Sequence, residues 1–209
     1  MTLKLHVFPP SPRAFKVLFL AHHLGLDHEM RALNFSAGEH RTPGFTALNA
    51  NQRMPVLEDG GYVLWESDAI LEYLAFKKPE AGLVPADTPA RLQVTKWLYW
   101  NCAHWDPAVA IFVFERVVKK LFNRGGPAEA EIARGGELLD RLAKVLDGEL
   151  SRHRYVTGER MMLPDFALSS AFLYDEARLP LEPYRAIQRW AAEMRALPAW
   201  SKAAALAGA

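Results

Sequence analysis

The feature that most constrains how this 209-residue chain folds is a single change of hydrophobic period. Up to residue 76, short alternating runs of the strand kind interleave with stretches of helical spacing. From Ala90 onward every long segment has helical spacing alone. Between the two, Lys77 to Pro89 carries three prolines, one glycine, several charges and no period, which reads as a linker. The expectation is an α/β domain over residues 1–77, a linker over 78–89 and an all-helical domain over 90–209. No internal repeat interrupts this plan.

In the first domain Leu3, Leu5 and Val7 alternate with Lys4 and His6, and Phe8-Pro9-Pro10-Ser11-Pro12 ends that strand. A helix follows through Phe15, Val17, Leu18, Leu20, Ala21 and Leu24, with Ser11 as candidate N-cap, Pro12 in the first turn and Gly25 as terminator. His28 to Leu33 reads as a second strand, followed by a weakly helical piece ending near Asn49. Met54 to Leu57 and Tyr62 to Leu64 form two strands around the turn Glu58-Asp59-Gly60-Gly61. A helix from Glu66-Ser67-Asp68 buries Ile70, Leu71 and Leu74. The order is β-α-β-α-β-β-α. Helical segments then run over Ala90 to Phe122, Ala128 to Leu150, Pro164 to Ala177 and Pro183 to Leu197, plus a short alanine-rich tail, with Pro107 expected to kink the first midway.

Twenty-five Lys and Arg against 24 Asp and Glu leave a net charge of +1, so there is no basic field for a nucleic acid or an anionic membrane surface. The longest apolar stretches, such as Ala108 to Phe114, fall well short of the ~20 residues of a membrane-spanning helix. One cysteine, Cys102, permits no internal disulfide, no Cys-x-x-Cys pair and no zinc cluster, which fits a reducing cytoplasm. The N-terminus enters a strand pattern without the charged and apolar segments of a signal peptide. Phosphate-loop, dinucleotide, zinc-protease and serine-hydrolase motifs are all missing. The expected ligand is a small molecule, with no metal.

Three features of the first domain carry chemistry. Ser11 stands between a strand and a helix N-terminus, where unpaired N–H groups and the helix dipole favour an anion. Serine is also a preferred cap, so the residue alone leaves an anion site and a plain cap as alternatives, the cap being the more ordinary. Arg13 in the same turn opposes the dipole and is easier to understand facing an anionic ligand or an acidic neighbour. Second, Pro55 opens a strand in Arg53-Met54-Pro55-Val56-Leu57, either as a simple initiator or, in a cis peptide, presenting Met54 for strand-like pairing with a peptide ligand. Third, Glu66-Ser67-Asp68 suffices as an ordinary helix start, and equally would hold an ammonium on Glu66 and a carboxylate on Ser67.

Taken together these residues resemble the glutathione transferases. The specific part is Asn49-Ala50-Asn51-Gln52-Arg53-Met54-Pro55-Val56-Leu57 followed by Glu66-Ser67-Asp68-Ala69-Ile70-Leu71-Glu72-Tyr73-Leu74, similar to the family's Val-Pro-x-Leu and Glu-Ser-x-Ala-Ile-x-x-Tyr-Leu motifs. The resemblance spans the whole chain. It implies a thioredoxin-like first domain binding glutathione, a helical second domain helping to bind a hydrophobic electrophile, and a cytoplasmic homodimer acting in detoxification. His6 and Phe8 occupy the strand end where one branch of the family has tyrosine, while Ser11 lies six residues before Val17, the spacing of the serine-type theta and zeta classes.

The resemblance therefore makes Ser11 the catalytic residue, donating a hydrogen bond to the glutathione sulfur. It assigns Glu66 and Ser67 to the glutamyl end, Met54 and Pro55 to the cysteinyl backbone, and Arg53 and His40 to the glycyl end, with Arg13 as a nearby cation. His104, Trp105 and Phe112, beside the expected kink, are the candidates for the electrophile pocket. Alternatives are glutathione-dependent peroxidase, dehalogenase or isomerase chemistry, or a regulatory protein that keeps the fold without catalysis. The sequence departs from the family at Ala50 and Gln52, at Arg53 in place of the usual lysine, and at Met162, where a helix-capping Ser or Thr is usual before Asp165.

Overall fold

A computed structural model describes residues 3–208. Their contacts divide into two units, one running to Val84 and taking in the C-terminal segment from Leu197, the other spanning Pro85–Ala196.

The first unit is built on a four-stranded sheet in the order β2-β1-β3-β4, from β1 (Leu3–Val7), β2 (His28–Ala32), β3 (Val56–Asp59) and β4 (Tyr62–Trp65). β1 pairs parallel to β2 and antiparallel to β3, with Leu5 opposite both Met30 and Leu57. The parallel pair needs a crossover, supplied by α1 (Pro12–His23). The antiparallel pair β3–β4 closes on the short turn after Asp59, with Asp59 opposite Tyr62. α2 (Pro43–Leu48), preceded by a 3-10 turn at Glu39–Arg41, packs Phe45 against Leu33 and Val56. α3 (Ser67–Phe76) buries Ile70, Leu71 and Leu74, as the spacing predicts, and packs on α1. This is the thioredoxin-like β-α-β-α-β-β-α order.

The second unit is all helical. α4 (Thr88–Trp100) is capped by Asp87, whose carboxylate accepts from Ala90 N at 3.0 Å. It runs through a π-helical segment, Asn101–Trp105, into α5 (Asp106–Val113), a second π segment at Phe114–Val118 and the short α6 (Lys119–Leu121). The first π segment ends just ahead of Pro107, whose missing N–H and ring cannot follow the α-helical ladder back to residue 103, so the irregularity predicted at Pro107 takes the form of a widened turn. α7 (Glu129–Leu150) packs on α5 closely at Gly135, where a Cβ would meet Phe112 at 3.0 Å and Ile111 at 3.1 Å. α8 (Leu163–Ser169) and α9 (Arg185–Arg195) complete the unit. The segment read as one helix to Ala177 breaks after Ser169 into 3-10 turns at Ser170–Phe172 and Asp175–Ala177.

The last helix, α10 (Pro198–Ala207), differs from the expected division at residue 90. It joins the first unit because Trp200 lies edge-on to Phe15 and Phe19 of α1, with ring centroids 4.7 and 5.3 Å away. An alanine-rich tail gives no hint of that partner, since alanine supplies helix propensity without a directional face.

Candidate active site

Ser11 takes the N-cap position of α1 in an extended conformation, with φ −82° and ψ 127°. Its carbonyl accepts from Phe15 N at 2.8 Å and its N–H donates to Phe8 O at 2.9 Å, so the backbone is fixed on both sides. The hydroxyl makes no capping hydrogen bond. The helix that starts here has Pro12 at its head and no acidic residue in its first turn, so the positive end of its dipole is not neutralised from within. Arg13 is exposed beside it.

The strained residue of the site is Glu66. It precedes α3 with φ +72° and ψ +114°, well away from the left-handed helical basin, a conformation that costs on the order of 1–3 kcal/mol for a side chain with a Cβ. The Glu66 carbonyl accepts from Ile70 N at 2.9 Å. Glu66 itself is exposed, whereas Ser67 and Asp68 are buried in the first turn of α3. The Nζ of Lys16, on α1, donates to Asp68 Oδ1, and this ion pair is nearly closed to solvent, with Lys16 2% and Asp68 7% exposed. The sequence reading missed it. Lys16 sits within an apolar run of α1, where a lone lysine looks like a residue of the solvated face.

The stretch from Asn49 to Pro55 is braced by Asn49, which is buried. Its Nδ2 donates to Arg53 O at 2.8 Å, and its Oδ1 accepts from Asn51 N at 3.0 Å and from Asn51 Nδ2 at 3.1 Å. Gln52, at φ +55°, turns the chain before the cis peptide Met54–Pro55. Arg53 is exposed, Met54 is half-buried against the Leu33–Phe45–Val56 cluster, and Pro55 is buried. His40 is buried with its ring stacked on Phe35, centroids 4.3 Å apart and planes within 3°. Phe35 in turn lies 5.4 Å from Phe8, the residue that holds the Ser11 N–H. His40 Nδ1 is buried without a hydrogen-bond partner among the described residues. At the strand end His6 is buried, with Nε2 2.5 Å from Glu58 Oε1.

The geometry thus gathers Ser11 and Arg13 at one helix start, and Glu66 and Ser67 at a second. The two helices are joined by the Lys16–Asp68 pair, and the chain Ser11–Phe8–Phe35–His40 links His40 to the first of them through successive contacts. The helical-unit candidates fare differently. His104 is exposed on the first π segment. Trp105 and Phe112 are each 1% exposed: Trp105 donates its indole N–H to Leu168 O at 3.2 Å, and Phe112 packs at Gly135. Both pack within the core of the second unit. Within that unit a cleft of about 470 Å³ lies elsewhere, between the 3-10 turns and α9, lined by Phe172, Tyr174, Arg178, Leu181 and Arg195 among others. Among the described residues, no group of three His, Cys, Asp or Glu stands close enough to hold a metal ion, and no helix is long and apolar enough to cross a membrane.

Comparison with known proteins agrees with this architecture. The sequence model of the glutathione S-transferase N-terminal domain matches residues 1–76, and that of the C-terminal domain matches residues 105–198. Glutathione S-transferase 3 of Zea mays is 32% identical over 212 residues, covering 97% of this chain and 93% of that protein. Glutathione S-transferase D7 of Anopheles gambiae is 33% identical over 193 residues, covering 91% of this chain and 84% of its own. Among solved structures, glutathione transferase F7 from Populus trichocarpa superposes with a TM-score of 0.88 at 26% identity, covering 99% of both chains. The chain belongs to the glutathione S-transferase family.

Proposed function

We propose that this enzyme binds glutathione on its first unit, stabilises it as the thiolate through Ser11, and transfers the sulfur to a carbon of a small hydrophobic electrophile. The observation that carries this reading is the Ser11 hydroxyl: it sits at a helix start with a fixed backbone and performs no capping. A free thiol ionises at a pKa of about 8.5, so only a small fraction is nucleophilic at neutral pH. A hydrogen bond from Ser11 Oγ to the sulfur, within the field of the α1 N-terminus, favours the charged form. The thiol proton passes to solvent, the sulfur forms a bond to the electrophilic carbon, and the leaving group departs or the conjugate takes up a proton.

Glu66 would pair with the glutamyl ammonium, and Ser67 would hold its carboxylate at the start of α3. The backbone beside Met54 and Pro55 would pair with the cysteinyl residue, as one more strand pairs with a sheet edge. Arg53, His40 and Arg13 supply positive or hydrogen-bonding groups for the glycyl end and the thiolate. His104, exposed on the π segment, and Trp105 and Phe112, buried in the second unit, are the helical-unit candidates for the electrophile. A two-fold homodimer is part of the proposal, since the first unit exposes Tyr62 and Trp65 on its edge strand and Phe76 on α3. A cytoplasmic setting suits the single cysteine.

The test is a calorimetric titration with glutathione, repeated in the ultraviolet band where the thiolate absorbs, from pH 5 to 9. Binding with a thiol pKa well below that of free glutathione supports the reading. No binding at millimolar glutathione sinks it, and binding without ionisation removes Ser11 from the chemistry.

A further inference from the structure

We infer that Lys16 and Asp68 are positioning residues for the glutathione site, acting as a buried electrostatic clamp that holds the strained Glu66 turn in its binding conformation. This rests on the reading of Glu66 and Ser67 as the glutamyl grip. A residue at φ +72° and ψ +114° persists only where its surroundings over-determine it. On the N-terminal side Glu66 follows directly on β4, whose pairing ends with Trp65 opposite Val56. On the C-terminal side the first two helical residues, Ser67 and Asp68, are buried, and Asp68 is fixed by the ammonium of Lys16. The strained residue is therefore stretched between a sheet register and an ion pair two residues later.

The other end of the clamp is equally specific. Lys16 lies on α1, five residues after Ser11, and its one acceptor among the described residues is Asp68. An ammonium has three donors, and burying it is costly unless it is paired, so a position filled this way constrains where the facing carboxylate can stand. The pair spans 52 residues of sequence and connects the first turn of α3 to the helix that begins at Ser11. Packing alone would hold the helices side by side. The ion pair adds a constraint on the axial and rotational setting of α3, and with it on the direction in which the exposed Glu66 side chain and the Ser67 N–H are presented.

A buried ion pair replaced as a whole by apolar residues of similar size commonly leaves stability unchanged or higher, whereas the angular constraint disappears. The double variant Lys16→Met/Asp68→Leu therefore separates clamp from scaffold. It should melt within about 4 °C of the parent. Its KM for glutathione should rise at least about tenfold, while kcat at saturating glutathione changes less than about threefold and the bound thiol keeps its ionisation profile. Asp68→Asn is the second variant; it strands the ammonium and melts lower, but assayed well below its melting temperature it should show the same rise in KM.

A folded double variant with KM within twofold of the parent overturns the clamp, as does failure of both variants to fold, which would make the pair a requirement of the scaffold. If the parent itself does not saturate with glutathione, the failure lies in the proposed function. That outcome is read from the parent before any variant is made.

Discussion

Each unit buries an aspartate in the first turn of a helix, and the two are satisfied in opposite ways. In the first unit Asp68 meets the full charge of Lys16. In the second, Asp165 is wholly buried and is held by N–H groups: Met162 N to Oδ2 at 2.8 Å, and Val156 N at 3.0 Å and Trp190 Nε1 at 2.8 Å to Oδ1. Burial pushes its pKa up to about 6 against the opposing pull of those hydrogen bonds. A buried charge pair can commonly be exchanged as a whole for two apolar side chains without loss of stability. Three fixed donors cannot be exchanged, because two belong to the backbone and stay when the acid is removed. The first arrangement suits a device that sets an angle at a binding site, and the second suits a knot that holds a fold.

The largest expected effect follows from that knot. Asp165→Ala strands three donors in the core of the second unit and should cost at least about 3 kcal/mol of unfolding free energy in urea. The glutathione affinity of the protein that remains folded should not change. A loss under about 1 kcal/mol would break the comparison by showing that other acceptors or water replace the carboxylate. The same residue sets a pH dependence. Because its folded pKa lies above the unfolded value near 3.9, the part of its stabilisation that is linked to its proton is complete below about pH 4 and is lost as pH rises through about 6, while the hydrogen bonds remain. Asp165→Asn should flatten that part of the stability profile, measured as urea midpoints from pH 4 to 7.

A smaller effect, confined to the first unit, is expected at Ser11. If the hydroxyl served as a cap, Ser11→Ala would lower stability by about 1 kcal/mol and leave turnover alone. Because it makes no cap bond, the substitution should leave the urea midpoint almost unchanged. Turnover should fall at least about tenfold, equivalent to about 1.4 kcal/mol of barrier, with glutathione affinity within a few fold. The reverse pattern, lower stability with full turnover, would return Ser11 to the role of an ordinary cap.

What was legible in the sequence follows the same line between local and distant causes. The β-α-β-α-β-β-α order, the start of α1 after Pro9-Pro10-Ser11-Pro12 and the burial of Ile70, Leu71 and Leu74 all rest on period and turn chemistry within about ten residues. The half of the capping motif surviving at α8 was legible too, since Asp165 accepts from Met162 N although Met162 brings no hydroxyl. The Lys16–Asp68 pair was not, because no local pattern marks a partner 52 residues away. The burial of Trp105 and Phe112 was not legible either, for a related reason. Two π segments, each adding to the helix turn, shift the side-chain register at Asn101–Trp105 and Phe114–Val118, so a 3.6-residue period cannot tell which aromatic faces inward.

The smallest effect sharpens the contrast between the acids with a third aspartate. Asp59, at the β3–β4 turn, accepts from Tyr73 Oη at 2.9 Å and pairs with Lys77, latching the hairpin to the C-terminal end of α3. The Lys77 bond, then the Tyr73 bond, hold its carboxyl below the usual range, while burial first and Asp59 second raise the Tyr73 phenol. The sign is opposite to that of Asp165: a depressed pKa contributes stability that is present above about pH 4 and is lost as pH falls through the folded value. Tyr73→Phe keeps the ring that stacks on Tyr62, at 5.4 Å between centroids, and removes only the hydroxyl. It should cost about 1 kcal/mol at neutral pH. That cost should shrink in acid as Asp59 protonates and the charge-assisted bond weakens. A penalty independent of pH would mean that Tyr73 acts by packing alone, and that Lys77 carries the latch.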